Sequence, residues 1–177
     1  MLAANSRWAN APLLGLSSVT YSIPSLALFI AMPGIIGTKI LDPINVVIAL
    51  SLYTTALLFR SVLDGLRAVP EPVKQASTAM GMRRARQLLT VELPVAIPVV
   101  AAGLRVAAVS NISLVSVGAL IGVGGLGDLF TYGFQIGSYY YIGSGIVLSV
   151  LLALIADVVI VVIQRIATPW TRARAAR

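Results

Sequence analysis

Arg105 and Asp157 are the two charges set deepest in apolar sequence, and such a pair admits two kinds of chemistry. They can neutralise one another as an ion pair, or belong to a relay that moves a proton or ion across a membrane. Little else in the chain is reactive. There is no Cys, which excludes disulfides and thiolate metal sites, and no His, which removes the usual imidazole base and zinc ligand. No catalytic residue, cofactor or metal is expected. Gly122, Gly124 and Gly127 spell G-x-G-x-x-G, but a dinucleotide fingerprint needs a strand before it, a helix after it and an acid about 20 residues on. An apolar span precedes this one and no Asp or Glu lies near that distance, so a tight turn closing the span is expected. No G-x-x-x-x-G-K-S/T is present, so any ATP must be handled by a partner.

The elements that hold these residues are apolar. The chain is 58% hydrophobic and 11% charged, whereas soluble domains are about half apolar and a quarter charged. Its apolar runs approach or exceed the roughly 20 residues that cross a hydrocarbon core. The expected fold is all-α, a polytopic helical membrane domain occupying residues 1–177, with spans near 12–36, 44–59, 94–121 and 141–163. Arg60, Arg67, Lys74, Arg83, Arg84 and Arg86 crowd the middle loop, and Arg165, Arg172, Arg174 and Arg177 the tail, while the other loops hold only Lys39. By the positive-inside rule, four spans then place the middle loop and C-terminus in the cytoplasm of a multi-pass cell-membrane protein. The net charge of +7 reports this asymmetry rather than nucleic-acid binding. Met1 to Asn10 lacks the basic start and apolar core of a cleavable signal.

Depth along the spans brings the two buried charges back into play. At 1.5 Å per residue, Arg105 lies roughly 16 Å in from Pro94 and Asp157 roughly 12 Å in from Arg165. A salt bridge between the third and fourth spans is expected; Arg105 on carbonyls or a water-filled cavity, and Asp157 on a partner subunit, remain the alternatives.

The middle segment, VKQASTAMGMRRARQLLTVELP, reads as two short helices in residues 71–93. Pro72 suits a first helical turn, Val73, Ala76 and Met80 share a face, and Gly81 can end the first helix in the left-handed region. Ala85, Leu88 and Leu89 form the apolar side of the second, and Pro94 starts the next span. Such a segment is either a solvated loop whose arginines meet anionic lipid heads or an amphipathic knob that docks in a partner's groove.

Gln75-Ala76-Ser77, three residues, Gly81, nine residues and Val91-Glu92-Leu93-Pro94 resemble the Glu-Ala-Ala signature of ATP-binding-cassette importer permeases. Ala76, Gly81, Leu93 and Pro94 match in type and spacing; Gln75 and Ser77 depart from the signature, and Ala85 stands where an aromatic is usual. Tyr21-Ser22-Ile23-Pro24-Ser25-Leu26-Ala27-Leu28 and Gly122-Val123-Gly124-Gly125-Leu126-Gly127 extend the resemblance, which is closest to the glycine betaine/carnitine/choline branch. It implies a type I importer permease core, with Gln75, Ala76, Ser77, Gly81, Arg83, Arg84, Leu93 and Pro94 coupling to a cytoplasmic ATPase. It also implies a second permease subunit, an extracytoplasmic binding protein and alternating access. The family core has five spans, and the first has no counterpart here, which suggests a fragment or a late start. The methionine-uptake branch, which shares Tyr132-Gly133-Phe134-Gln135, is the second reading.

Polar positions inside spans have two explanations. Tyr21, Ser22, Ser25, Asn111 and Ser113 either bond between helices or line a translocation path. Half of the twelve aromatics lie between Phe130 and Tyr141, as an interfacial belt or as a surface for a quaternary ammonium group. An ion-coupled secondary transporter would need an intramembrane relay, for which one Asp in the final span is thin material. A membrane anchor would need no two-helix segment.

Overall fold

The computed structural model describes Gly15 and residues 22–171; Tyr21 and the arginines at 172, 174 and 177 lie outside that range. The described residues form helices and turns without a strand. In order they are α1 (Ser25–Ile36), α2 (Pro43–Arg67), α3 (Glu71–Ala79), α4 (Arg84–Gln87), α5 (Leu93–Gly118), α6 (Gly127–Gln135) and α7 (Tyr139–Ala167). A π-helical turn, Leu88–Glu92, joins α4 to α5 without a break, and a 3-10 turn, Ala119–Ile121, closes α5. Three helical stretches are long and apolar enough to cross a membrane: Pro43–Arg67, Arg84–Ile121 and Tyr139–Ala167. The apolar helix α1 is shorter, at 12 residues, and part of the stretch expected as the first span lies outside the described residues.

Two of these boundaries differ from the sequence expectation. The second span was expected to stop at Phe59, yet α2 runs eight residues further, to Arg67. Leu63 and Gly65 keep the buried face going, while Asp64 sits 3.9 Å from Arg60 and 4.0 Å from Arg67 on the solvated side. A helix ends where its packing ends, not where the hydrocarbon does. At its other end Asp42 accepts from the Ile44 N–H at 3.0 Å, with Pro43 in the first turn, the side-chain cap and first-turn proline that helix starts favour. The second difference is at Pro94, expected as a helix start but found inside a continuous helix of 38 residues, Arg84–Ile121. Proline has no N–H and its ring collides with the carbonyl four residues back. The turn just before it widens so that the Leu93 N–H reaches the Leu88 carbonyl five residues earlier, which relieves the collision.

The helices pack through small residues. In lipid the hydrophobic effect does not drive helices together, so close backbone approach supplies the attraction. Along the antiparallel α2–α5 contact, Val46 faces Gly118, Thr54 faces Asn111, Ser61 faces Gly103 and Gly65 faces Ala96. Asn111 Nδ2 donates to Thr54 Oγ1 at 2.7 Å. A Cβ on Gly103 would come within 2.1 Å of Ser61 Oγ and 2.4 Å of its Cβ. Toward the opposite end, Phe29, Met32, Val46, Ala49 and Tyr53 form a core that Leu114, Val117 and Val123 complete. Asn45, fully buried, donates to the Lys39 carbonyl at 2.9 Å and accepts from Thr38 Oγ1, which pins the α1–α2 loop. Beyond α5, Gly122 adopts φ +79° and the Val123 N–H returns to the Gly118 carbonyl, so the glycine-rich stretch is the turn expected there.

The third tie is electrostatic. Arg105 on α5 grips Asp157 on α7 in a bidentate pair, Nε to Oδ1 at 2.5 Å and Nη2 to Oδ2 at 2.8 Å. The planar guanidinium fits a carboxylate in this two-bonded form. The first turns of α7 also pack on α6, with Gly145 against Leu129 and Phe130 and Tyr141 edge-on to Tyr132, while its most apolar stretch has nothing buried.

Two outcomes follow for detergent-purified protein. Gly103→Ala should lower thermal stability by about 1–3 kcal/mol through overpacking, and Ser61→Gly in the same chain should recover most of it. Asp157→Asn should reduce folded yield, and the exchanged pair Arg105→Asp with Asp157→Arg should restore part of it; both are read by size-exclusion recovery.

Candidate functional site

Helix α3 begins at Glu71 with Pro72 in its first turn, and Glu71 sits at the end where an acid complements the helix dipole, 3.6 Å from Lys74. It ends at Gly81, φ +72°, with the Gly81 N–H on the Thr78 carbonyl (2.9 Å) and the Met82 N–H on the Ser77 carbonyl (3.2 Å). This paired closure is the Schellman form of helix end, and Gly is the residue it favours. The chain then turns through Arg83 into α4, where the Gln87 N–H caps on the Arg83 carbonyl at 3.0 Å.

The two arms are bonded into one body. The Lys74 carbonyl accepts from Ser77 Oγ (2.7 Å), from Thr78 Oγ1 (2.9 Å) and, across the turn, from Gln87 Nε2 (3.1 Å). Ser77 and Gln87 are buried, at 1% and 4% exposure. Glu92 is buried at 2%, and its carboxylate accepts from Arg84 Nη1. A carboxylate so enclosed needs a cation and a donor, and Arg84 supplies both.

What this body presents outward is mixed. Gln75, Ala76, Gly81, Arg83 and Arg84 are exposed, whereas Ser77 turns inward and Leu93 and Pro94 are half-buried at the foot of α5. Met80, at 68% exposure, and Leu89, at 55%, stand out as apolar side chains facing away from the protein. The expected face of Val73, Ala76 and Met80 is thus turned outward at Ala76 and Met80 and only half-covered at Val73. A cleft of about 730 Å³ opens beside them between α3 and α4, bordered by Glu71, Lys74, Gln75, Thr78, Arg84 and Gln87.

At the other end of the helices, a second cavity of about 560 Å³ brings Ser22, Ser25 and Ser113 together with Tyr53, Ser110 and Val109. Tyr53 closes one wall by donating to the Ile23 carbonyl at 2.5 Å. Asn111 is not part of this lining, since it bonds Thr54 between α2 and α5. Tyr21 lies outside the described residues. No charged side chain lines the cavity among those described. Sequence reasoning did not single out Tyr53, Ser110, Gln87 or Glu92. Glu92 carried a readable signal, because an acid among leucines at the edge of a span needs a partner and three arginines lie just upstream.

The comparisons with known proteins agree with this geometry. Solved structures of the MetNI methionine transporter in inward-facing conformations share the fold. One superposes with a TM-score of 0.78 at 24% identity over 94% of this chain and 77% of that one. Another gives 0.73 at 26% identity over 93% and 80%. In sequence the chain is 32% identical to the osmoprotectant import permease protein OsmW of Salmonella typhimurium, over 96% of this chain and 80% of that protein. It is 31% identical to the choline transport system permease protein OpuBB of Bacillus subtilis, over 89% and 71%. It is also 31% identical to the glycine betaine/carnitine/choline permease OpuCD of the same species, over 96% and 73%. A match to one family runs from residue 1 to 173, nearly the whole chain, and includes both the helical spans and the bonded knob between them. The chain belongs to the binding-protein-dependent transport system inner membrane components.

Proposed function

We propose that the chain is the permease subunit of an ATP-driven importer for quaternary-amine osmoprotectants such as glycine betaine, choline, carnitine or proline. The observation that carries this reading is the Arg84–Ile121 helix. At 1.5 Å per residue it is about 57 Å long, nearly twice the roughly 30 Å hydrocarbon core. Its basic end therefore extends outside the membrane, carrying the α3–α4 knob with it. On the positive-inside rule that end, the middle loop and the C-terminus are cytoplasmic.

Gln75, Ala76, Gly81 and Arg83, with the outward Met80 and Leu89, form the docking face for a cytoplasmic ATPase. Ser77 holds the α3 turn that presents them, and Arg84 belongs to the segment through its bond to Glu92. Leu93 and Pro94 carry the motion into α5. A second permease subunit, the same or related, and an extracytoplasmic binding protein complete the assembly. Closure of the ATPases moves the knob and rocks α5 against α2, so that the pathway opens alternately to each side. Ser22, Ser25, Ser113, Ser110 and Tyr53 line part of that pathway, with Tyr21 adjoining them in sequence. Asn111 supports the path from behind by fixing α5 against α2.

The substrate class follows the named relatives, which import osmoprotectants or choline. Methionine is the second reading, because the solved structures sharing the fold are of a methionine transporter. An ion-coupled mechanism is disfavoured because Asp157 is held by Arg105 rather than standing open in a relay.

Two measurements test this. Gly81→Val places a β-branched residue in a left-handed backbone, a strain of about 1–2 kcal/mol at the knob's turn. It should cut uptake several-fold and reduce co-purification of the ATPase, while membrane insertion stays normal; full transport would refute docking through this segment. Expressed with its partners in a transport-deficient host, the wild-type chain should support accumulation of labelled betaine or choline under salt stress. Methionine uptake without betaine or choline uptake would reassign the substrate and keep the architecture.

A further inference from the structure

The knob's two attachments to the spans are unlike. On one side α2 ends at Arg67 and three residues, Ala68, Val69 and Pro70, lead into α3. No side-chain bond caps the start of α3 there, and its cap is Pro70 itself. On the other side α4 runs through the π-turn into α5 as one helix, and Glu92 at the foot of α5 holds Arg84 at the start of α4. Eight residues separate the two, so the bond spans the whole π-turn. A π-turn is the weak point of such a helix, because its wider ring loosens the hydrogen-bond ladder. The ion pair braces that point from outside, with one member enclosed at 2% exposure. Gln87, midway along, then fastens α3 to the same unit through the Lys74 carbonyl.

We infer that the Arg84–Glu92 pair is a strut across the π-turn that makes the knob rigid with α5, so that force on the knob is delivered to α5 and not to α2. The inference rests on the proposed coupling to an ATPase. Glu92 is a positioning residue: it is buried away from the docking face and acts through Arg84. Without the strut the π-turn flexes, the knob still docks, and ATP hydrolysis continues with its motion absorbed at the turn.

The test uses the complete transporter of two permeases, ATPases and binding protein, reconstituted in liposomes, with substrate movement and ATP hydrolysis measured together. Glu92→Gln keeps the volume and removes the charge. It should leave ATPase co-purification and ATP hydrolysis within about twofold of wild type and lower substrate moved per ATP at least tenfold. Arg84→Gln, at a half-exposed site where folding is less at risk, removes the other member of the pair and should likewise lower substrate moved per ATP at least tenfold. The exchange Arg84→Glu with Glu92→Arg should restore a substantial part of the ratio, which a merely structural loss would not allow. Unchanged transport per ATP in both single variants overturns the strut, as does loss of the ATPase from Arg84→Gln alone, which would make Arg84 a direct docking contact. A wild-type chain that never retains an ATPase overturns instead the proposed function on which the strut depends.

Discussion

The approach of α2 to α5 at Gly103 is the constraint from which the rest of the arrangement follows. With a side chain there the helices must separate, because even a Cβ would lie 2.1 Å from Ser61 Oγ. With glycine they close, and the antiparallel register is then fixed by Thr54 on Asn111 and by Gly65 on Ala96. That register decides where the basic ends of both helices emerge. It brings Arg67 and Arg84 near enough for a 16-residue connection to fold back on itself, so that Gln87 meets the Lys74 carbonyl. It also leaves another side of α5 free to present Arg105 to α7. Loosening this one contact would loosen the knob, the cavity wall at Ser110 and Ser113, and the mounting of α7.

The polar groups inside the described helices are nearly all matched to neighbours within the chain. Asn45 holds the α1–α2 loop, Tyr53 holds Ile23, Asn111 holds Thr54 and Arg105 holds Asp157. This is what the medium requires, since an unmatched polar group in hydrocarbon costs far more than in water. The apolar surface shows the opposite pattern. Leu151, Leu154, Ile155, Val158 and Val162 along α7 are about half exposed, which suits a helix whose outer side meets lipid. On the knob, exposed Met80 lies at the turn between α3 and α4, outside the span-length helical stretches. The same apolar exposure thus has different meanings at the two places, and position along the helix separates them.

Much of this was readable from sequence, for reasons that differ by element. Helix existence followed from the long apolar runs, and the knob's turn from Gly81, whose neighbours left it little else to do than close a helix. The matching depths of Arg105 and Asp157 made a pair one of the open readings, because a rise of 1.5 Å per residue converts position into depth; that they face one another is seen only in the packed helices. Boundaries were less legible. Phe59 marks the end of the apolar run but not of α2, since Leu63 and Gly65 keep packing beyond it. Pro94 reads as a start because proline favours first turns, whereas the chain absorbs it by a π-turn that leaves no mark in residue types. The cavity partners Tyr53 and Ser110 were invisible for another reason: their relation to Ser22 and Ser113 exists only after α2 and α5 are in register.

The character of that cavity bears on where selectivity resides under the proposed reading. Serine hydroxyls, a tyrosine and aliphatic walls offer hydrogen bonds and contact area but no fixed charge to hold a carboxylate or an ammonium group. The deepest charges, Arg105 and Asp157, neutralise one another in a bidentate pair and are not part of this lining. A lining of this kind grips a small zwitterion or cation weakly. Weak grip is what conduction needs, since a solute bound tightly midway would not leave. On that reading discrimination occurs before the solute enters, in a separate binding protein, and directionality comes from ATP through the knob. The sparse chemistry of the chain fits the mechanical task proposed for it, holding a path that opens on alternate sides and leaving recognition and energy to partners.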